Sequence, residues 1–487
     1  MITLASNQLD SIKEISKGDK VESEYPFFLL YVRSLTTGSM SRLLLLKLVA
    51  EKTVFKNISP FLNKILFLSS EWRYPQAKAV EFMSQRVPTK DFSKFLYKFA
   101  QSISSGEPLP PFIEREYKSY TTEYEAKRSQ SLDRLKTYSD AYLPLLSVTL
   151  FLCTTMLVSS IFYNPESMIF LTIMAVVAIS FMLFLISWLL FKAARPDEII
   201  IDQGYKSNKR KLIETITIIC LFGALGSLLL PISYFEHLII IGSLLVIPGA
   251  LGKIYIGKIL KSEEIFPAFL RFMGSNLKVD IPLKEVIREA LEVDFGTLNG
   301  YLHDLYHRLE MRVEPKLAWL SFETEIDSRL IQRVNIVMTD TLATGGDMNQ
   351  SSKLLEEFYH TYTSLRRKRY TASSYHVGIV MPLYAVMAAL FATLDGFFTS
   401  LSSFMGRIST MVDFIATPPL DFMRFFFMFT LTIFSLNNVF SIYNIEGDSR
   451  FTLLFYLGLQ LSIAGIVYIL INAAVTVYLG TMAGTGI

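Results

Sequence analysis

Lysine and arginine nearly vanish from the last 113 residues of this chain, where Arg407, Arg424 and Arg450 are the only cations. Cysteine is as scarce: Cys153 and Cys220 are the whole complement of 487 residues, and both lie inside apolar runs. Two thiols so placed rule out a disulfide framework by number and offer no metal-ligand spacing, so they read as small buried hydrophobes. No convincing run alternates apolar and polar residues as a half-buried strand must, which excludes a β-rich fold. The opening "MITLASNQLDSIKEISKGDK" lacks the charged-then-apolar pattern of an export signal, so no cleaved signal is expected.

What the chain does have is segregation. It is 51% apolar and 19% charged, and the charges avoid several long stretches. Seven apolar runs reach the ~20 residues that cross a bilayer as helix: 141–163, 168–191, 212–231, 237–257, 375–396, 422–443 and 451–480. Between them, residues 1–140 carry 21 Lys+Arg against 16 Asp+Glu, 192–211 carry 6 against 3, and 253–374 carry 17 of each. The connections "NPES" and "ISYFEH" hold no Lys or Arg. Basic loops stay cytoplasmic, which places 1–140, 192–211 and 253–374 inside and the C-terminal "GTMAGTGI" outside. After span five, "FFTSLSSFMGRISTMVDFIA" (397–416) sets Phe397, Leu401, Phe404, Ile408, Met411 and Ile415 on one helical stripe, the pattern of an outer interfacial helix.

The charged parts repeat. "YPFFLLYVRSL" (25–35) is similar to "FPAFLRFMGSN" (266–276), 241 residues on. "SISSGEPLPPFIEREYKSYTTEYEAKR" (102–128) runs from a glycine turn into a long amphipathic helix, as "GGDMNQSSKLLEEFYHTYTSLRRKRY" (345–370) does. Gly106 then matches Gly345 or Gly346, and "YLPLL" (142–146) matches "VMPLY" (380–384). One offset held over separate landmarks points to tandem duplication, at a period far longer than a solenoid repeat. The expected organisation is a charged segment 1–24, a cytoplasmic helical bundle 25–138, four spans in 139–257, a second bundle 258–374 and three spans in 375–480.

No enzymatic constellation emerges. "GKIYIGKI" (252–259) approximates a phosphate-binding loop but puts Ile259 where a hydroxyl must hold magnesium, and no strand precedes it. His303 and His307 have zinc-compatible spacing on a helix without the catalytic Glu or a third ligand. The spans show no carboxylate pair at mid-depth; Asp395 and Asp421 lie at span ends, which argues against an ion-coupled carrier. No cofactor or metal is expected. A polytopic permease, or the membrane subunit of an ATP-driven exporter, is the alternative reading.

The two glycine-turn segments, "SSGEPLPPFIEREY" with "YLPLL" and "ATGGDMNQSSKLLEEFYHTY" with "VMPLY", resemble the type II secretion F-domain family. These are the membrane platform proteins of type IV pili, type II secretion, Tad pili and the archaellum. With four spans between the halves the chain looks more like archaeal members than bacterial ones. The resemblance implies an all-α polytopic protein of the cell membrane with two tandem-repeated cytoplasmic helical bundles and no enzymatic activity. It implies as partners a cytoplasmic hexameric secretion ATPase, pilin or archaellin subunits, other assembly-machine components, membrane lipids and a second copy in a homodimer, with no nucleic acid. Gly106, Glu107, Gly345, Gly346 and Asp347 match the family's turn motifs, and Arg366, Arg367, Lys368 and Arg369 are candidates for contact with the ATPase or the inner leaflet.

The orientation is testable by labelling single cysteines in a cysteine-free background from outside the cell. Positions in 164–167, 232–236, 397–418 and 481–487 should react, and those in 1–138, 195–210 and 258–372 should not. External labelling within 258–372 would reverse the topology.

Overall fold

The computed structural model describes residues 20–159, 165–193, 197, 199–201, 207–277, 281–408 and 420–484, and no strand occurs among them. Helix α1 is described over 20–35. It is followed by α2 (Arg42–Glu51), α3 (Ser59–Ser70), α4 (Gln76–Ser84), α5 (Lys90–Ser104), α6 (Leu109–Ser159), α7 (Pro165–Ala193), α8 (Asn208–Ser227) and α9 (Tyr234–Asn276). Then come α10 (Leu283–Leu291), α11 (Asn299–Glu310), α12 (Pro315–Ile326), α13 (Arg329–Ala343), α14 (Met348–Ile408), α15 (Leu420–Glu446) and α16 (Phe451–Gly484). Most of the charged segment 1–24 lies outside the described residues, as do 409–416 of the expected interfacial helix. Residues 397–408 of that segment continue α14 without a break.

The chain divides into two compact units, Met1–Ser129 with Ile259–Ser364 and Gln130–Lys258 with Leu365–Ile487. Helices α6, α9 and α14 contribute residues to both.

In the first, the helical unit, apolar spacing dictates both the helices and their inward faces. Helix α5 buries Phe92, Phe95, Leu96 and Phe99 on one stripe. Helix α13 is capped by Ser328, whose hydroxyl accepts from the Ile331 amide, and buries Leu330, Ile331, Val334, Val337 and Met338. Each such side chain contributes roughly 1.5–3 kcal/mol on burial. Surface pairs such as Lys118–Glu114 give only about 0.2–0.5 kcal/mol, so the stripes decide the fold.

The two segments expected as separate bundles share one core. Phe27 packs edge-on to Phe358 with ring centroids 5.0 Å apart, and Arg333 lies 4.3 Å from the Phe27 ring centroid. Asp340 accepts from Tyr31 Oη at 2.8 Å and from Lys52 Nζ at 2.7 Å. The reason is size: a half-unit of six short helices leaves one apolar face uncovered, and the other half covers it.

Equivalent helices begin at Arg42 and Leu283, Ser59 and Asn299, Gln76 and Pro315, Lys90 and Arg329, and Leu109 and Met348. Unusual backbone follows the same spacing. Gly106 and Gly345 both have φ near +72°, and the left-handed arginines are Arg73 and Arg312. Non-glycine residues rarely adopt this conformation, so two of them 239 residues apart mark equivalent turns.

The second unit is the membrane unit: five helical stretches among the described residues, lying wholly or partly in it, are long and apolar enough to cross a bilayer. They are Ile173–Ala193, Tyr234–Asn276, Met348–Ser402, Leu420–Glu446 and Phe451–Leu479. Of the other two expected spans, 141–159 lies on α6 and 212–227 on α8, neither of which is in this set, and 160–163 lie outside the described residues.

Glycine sets how closely α9 and α16 approach. A Cβ on Gly249 would stand 2.4 Å from the Phe455 amide nitrogen, and one on Gly458 would stand 2.5 Å from that of Val246. Small residues at a helix seam let backbones touch where lipid supplies no hydrophobic drive. Helix α15 is pinned by polar groups instead. Asn437 donates to Ser180 Oγ and, two turns on, Asn444 donates to the Ser187 carbonyl, both at 2.7 Å. At the apolar end away from the basic cluster, buried Asp395 accepts from Arg424 at 3.1 Å and from Asn472 at 2.6 Å.

One buried acid gives the helical unit a pH response. Glu323 on α12 is pushed up from 4.5 to about 7 by burial, which outweighs the hydrogen bonds from Asn335 and Gln332. Between those values the folded chain keeps a proton that the unfolded chain has released, so stability is fullest below pH 4.5 and falls as pH rises towards 7. Glu323→Gln should remove up to about 3 kcal/mol of that fall. Thermal unfolding of the full chain in detergent across the window checks it; identical pH profiles for both proteins would refute the assignment.

Candidate functional site

Four consecutive residues of an α-helix point about 100° apart, so a run such as Arg366-Arg367-Lys368-Arg369 cannot present one face. Helix α14 separates them. Arg366 and Arg369, three residues apart, are buried, whereas Arg367 and Lys368 are exposed. The buried pair starts a stripe that continues through Ser373, His376, Val380 and Tyr384. The cluster is therefore two structural cations and two surface ones, not the four equivalent surface charges that composition suggests.

Arg369 caps α15. Its Nε donates to the Ile445 carbonyl at 2.8 Å and its Nη2 to that of Asn444 at 2.7 Å. The last carbonyls of any helix lack partners within the helix and carry partial negative charge, so a planar cation is a fitting cap. Gly447 follows with φ +64°, and a Cβ there would lie 2.2 Å from Arg369 Cζ. Both backbone and space demand glycine at that position.

Next to this cap, Lys253 of α9 pairs with Glu446 of α15 and also donates to Tyr456 Oη of α16 at 3.2 Å. Ser373 Oγ of α14 stands 3.5 Å from the other Glu446 oxygen. The turn joining α15 to α16 is held by Asp448, which accepts from the Ser449 amide and the Thr452 hydroxyl. Four helices thus meet at one polar knot, at the end where α14 turns basic. Lys253, at the end of an apolar run, is thus an ion-pair partner.

One helical turn further into α14, His376 bridges two helices. Its Nδ1 is 2.8 Å from Ser139 Oγ on α6 and its Nε2 2.9 Å from Ser441 Oγ on α15. Tyr142 Oη donates to Asn438 Oδ1 at 2.7 Å. Sequence reasoning passed over His376, Asn437, Asn438 and Asn444 because averaged hydropathy hides isolated polar residues. Their spacing on the buried stripe was the available signal.

The turn motifs lie in the helical unit. Gly106 closes α5 and Gly345 closes α13 with the same pattern: Glu107 N donates to the Ser102 carbonyl, and Gly346 N to that of Thr341. This double wrap at a left-handed glycine is a standard helix stop. The structure pairs Gly106 with Gly345 and leaves Gly346 a packing role, where a Cβ would meet Thr341 Cγ2 at 2.6 Å. Asp347 caps α14, accepting from the Asn349 and Gln350 amides, and its own amide donates to Thr37 Oγ1. Glu107 pairs with Arg115, which holds its carboxyl below the usual range. The five motif residues therefore terminate and start helices.

The stretch 252–259 is continuous helix within α9 and cannot form a phosphate-cradling loop. His303 and His307 stack edge-on at 4.3 Å, and no cluster of three metal-binding side chains occurs among the described residues. Cys220 is a buried free thiol, and the side chain of Cys153 lies outside the described residues.

Helices, pins and turns together define a multi-pass all-α membrane protein with a helical unit built from two similar halves. A family model described as type II secretion system (T2SS), protein F, matches residues 269–394. Flagella accessory protein J of Methanocaldococcus jannaschii is 24% identical over 388 residues, covering 76% of this chain and 68% of that protein. The protein of the same name from Methanococcus voltae is 24% identical over 399 residues, covering 78% and 70%. No solved structure matches. Residues 269–394 are thus similar to the type II secretion system F domain, and most of the chain is similar to these two archaeal proteins.

The divided cluster makes a sharp expectation. Arg369→Ala alone should destabilise the chain by about 1.5–3 kcal/mol, because it strands two buried carbonyls. Arg367→Gln with Lys368→Gln should change stability by less than about 0.5 kcal/mol. Thermal melts of both variants in matched detergent decide; equal losses would return the cluster to four equivalent charges.

Proposed function

We propose that this protein is the membrane platform of an archaellum or archaeal type IV pilus-like assembly machine. It couples a cytoplasmic hexameric secretion ATPase to insertion of pilin-like subunits into the filament. The observation that carries the reading is the family match over 269–394, which runs from the end of α9 through the capped turn at Asp347 and down α14 past Arg369. That stretch includes the residues that α14 gives to both units. The relatives' name adds the flagellar context.

The mechanism follows from covalent continuity. Helix α14 is 61 residues long, about 90 Å at 1.5 Å per residue. Together with α6 and α9 it gives a displaced helical unit three unbroken routes to the membrane unit. The polar knot at Arg369 and Glu446 passes such a displacement to α15 and α16. The protein sits in the cytoplasmic membrane with both halves of the helical unit inside, acts as a homodimer and hydrolyses nothing itself. Exposed Arg367 and Lys368 serve the inner leaflet or the ATPase.

The permease alternative gains one point, since the membrane unit holds more polar side chains than the sequence reading credited. Those polar groups face one another between helices, buried and hydrogen-bonded, so they serve as helix pins and form no path.

Residues 1–140 carry five more cations than acids, so association with the ATPase should weaken as salt shortens the ~10 Å screening length of 0.1 M solution. The test is ATP turnover by the cognate hexamer with and without the full chain in lipid nanodiscs, at low and high salt. The full chain is required because the two halves share a core. Stimulation at low salt that fades at high salt is expected. Turnover by this protein alone, lost on Lys258→Ala, would falsify the non-enzymatic reading, and no effect at any salt would remove the ATPase as partner.

A further inference from the structure

The membrane unit contains an open groove of about 1030 Å³ between α6 and α14, lined at one end by Lys136, Asp140 and Lys368 and at the other by Leu143, Ile379 and Leu383. We propose that it binds an anionic phospholipid, with the phosphate held between Lys136 and Lys368 and a hydrocarbon chain laid along the apolar end. That the lipid comes from the inner leaflet rests on the orientation given under Proposed function; the binding itself does not.

Three features select a lipid. First, polarity is graded along the groove, since α6 and α14 run in the same direction from charged to apolar residues. Thr371, Ala372 and Tyr375 of α14 lie between the two ends. Second, the length fits. From Lys136 to Ser147 and from Lys368 to Leu383 is about 16–22 Å of helix, close to half of a ~30 Å hydrocarbon core plus a headgroup. Third, both lysines are exposed and neither carries an ion pair among the described residues. Basic pockets between membrane helices characteristically take anionic headgroups, and this volume is at the upper end for ligand sites, ~300–1,000 Å³. Asp140 leaves the charged end net positive by one and can accept a hydrogen bond from a headgroup hydroxyl. Phosphatidylglycerol meets both conditions.

A transmembrane peptide helix is the competing occupant. It would fill the apolar end but would leave two lysines desolvated without a phosphate, which burial disfavours.

The test is native mass spectrometry of the full chain with phosphatidylglycerol, phosphatidylethanolamine or phosphatidylcholine titrated from mixed micelles. Preferential retention of phosphatidylglycerol is expected. Each lysine near an anionic surface is worth roughly fivefold in affinity, so Lys136→Gln with Lys368→Gln should weaken retention about thirtyfold. The charge-matched pair Lys209→Gln with Lys211→Gln, exposed on α8, should leave it unchanged. A benzophenone side chain replacing Tyr375, an exposed residue of the groove wall, should cross-link to lipid. Equal retention of the zwitterionic lipids, an equal loss in the α8 pair, or cross-linking to a polypeptide in place of lipid would each overturn the proposal.

Discussion

A buried guanidinium on a helix end organises the membrane unit. Arg369 satisfies the last carbonyls of α15, and the glycine that lets it approach also turns the chain towards α16. Beside it, the Lys253–Glu446 pair ties α9 to the same point. Interhelical hydrogen bonds within membranes are individually weak, about 0.6 kcal/mol on average. A charge-assisted cap with a neighbouring ion pair is stronger than such bonds. Position along α15 follows from it: once Asn444 and Glu446 are held, Asn437, Asn438 and Ser441 fall opposite Ser180, Tyr142 and His376.

The helical unit is held differently, by area. Its aromatic stripes interlock across the two halves, and its few polar links, such as Tyr31 and Lys52 on Asp340, choose the register of one half against the other. A duplicated unit has an inherent pairing ambiguity because each half could dock on a copy of itself. Polar contacts that exist only between the two different halves resolve it. The close approach of Gly38 to Gly346, where a Cβ would meet Gly346 Cα at 3.1 Å, is one such asymmetric fit.

Much of this was legible in the residues. Hydrophobic runs announced a polytopic helical protein, and the landmarks at Gly106, Gly345, Pro144 and Pro382 carried the spacing that the helix starts also follow. Two things were not. Amphipathic stripes such as Phe92–Phe99 say that a face is covered but not by what, so one shared core looked like two bundles. Charge counting ignores helical phase, so "RRKR" looked uniform although Arg366, Arg369, Ser373 and His376 share a face with the apolar stripe beyond them. Averaging over windows likewise concealed the asparagines of α15.

If the knot joins four helices, its residues must be energetically coupled. A double-mutant cycle between Lys253 and Glu446, read as thermal stability of Lys253→Met, Glu446→Gln and the combined variant in one lipid composition, measures it directly. A coupling of about 1–3 kcal/mol, with the double variant losing clearly less than the sum of the singles, is the predicted result. Additivity within about 0.5 kcal/mol would show two independent residues and contradict the knot as the joint of the membrane unit.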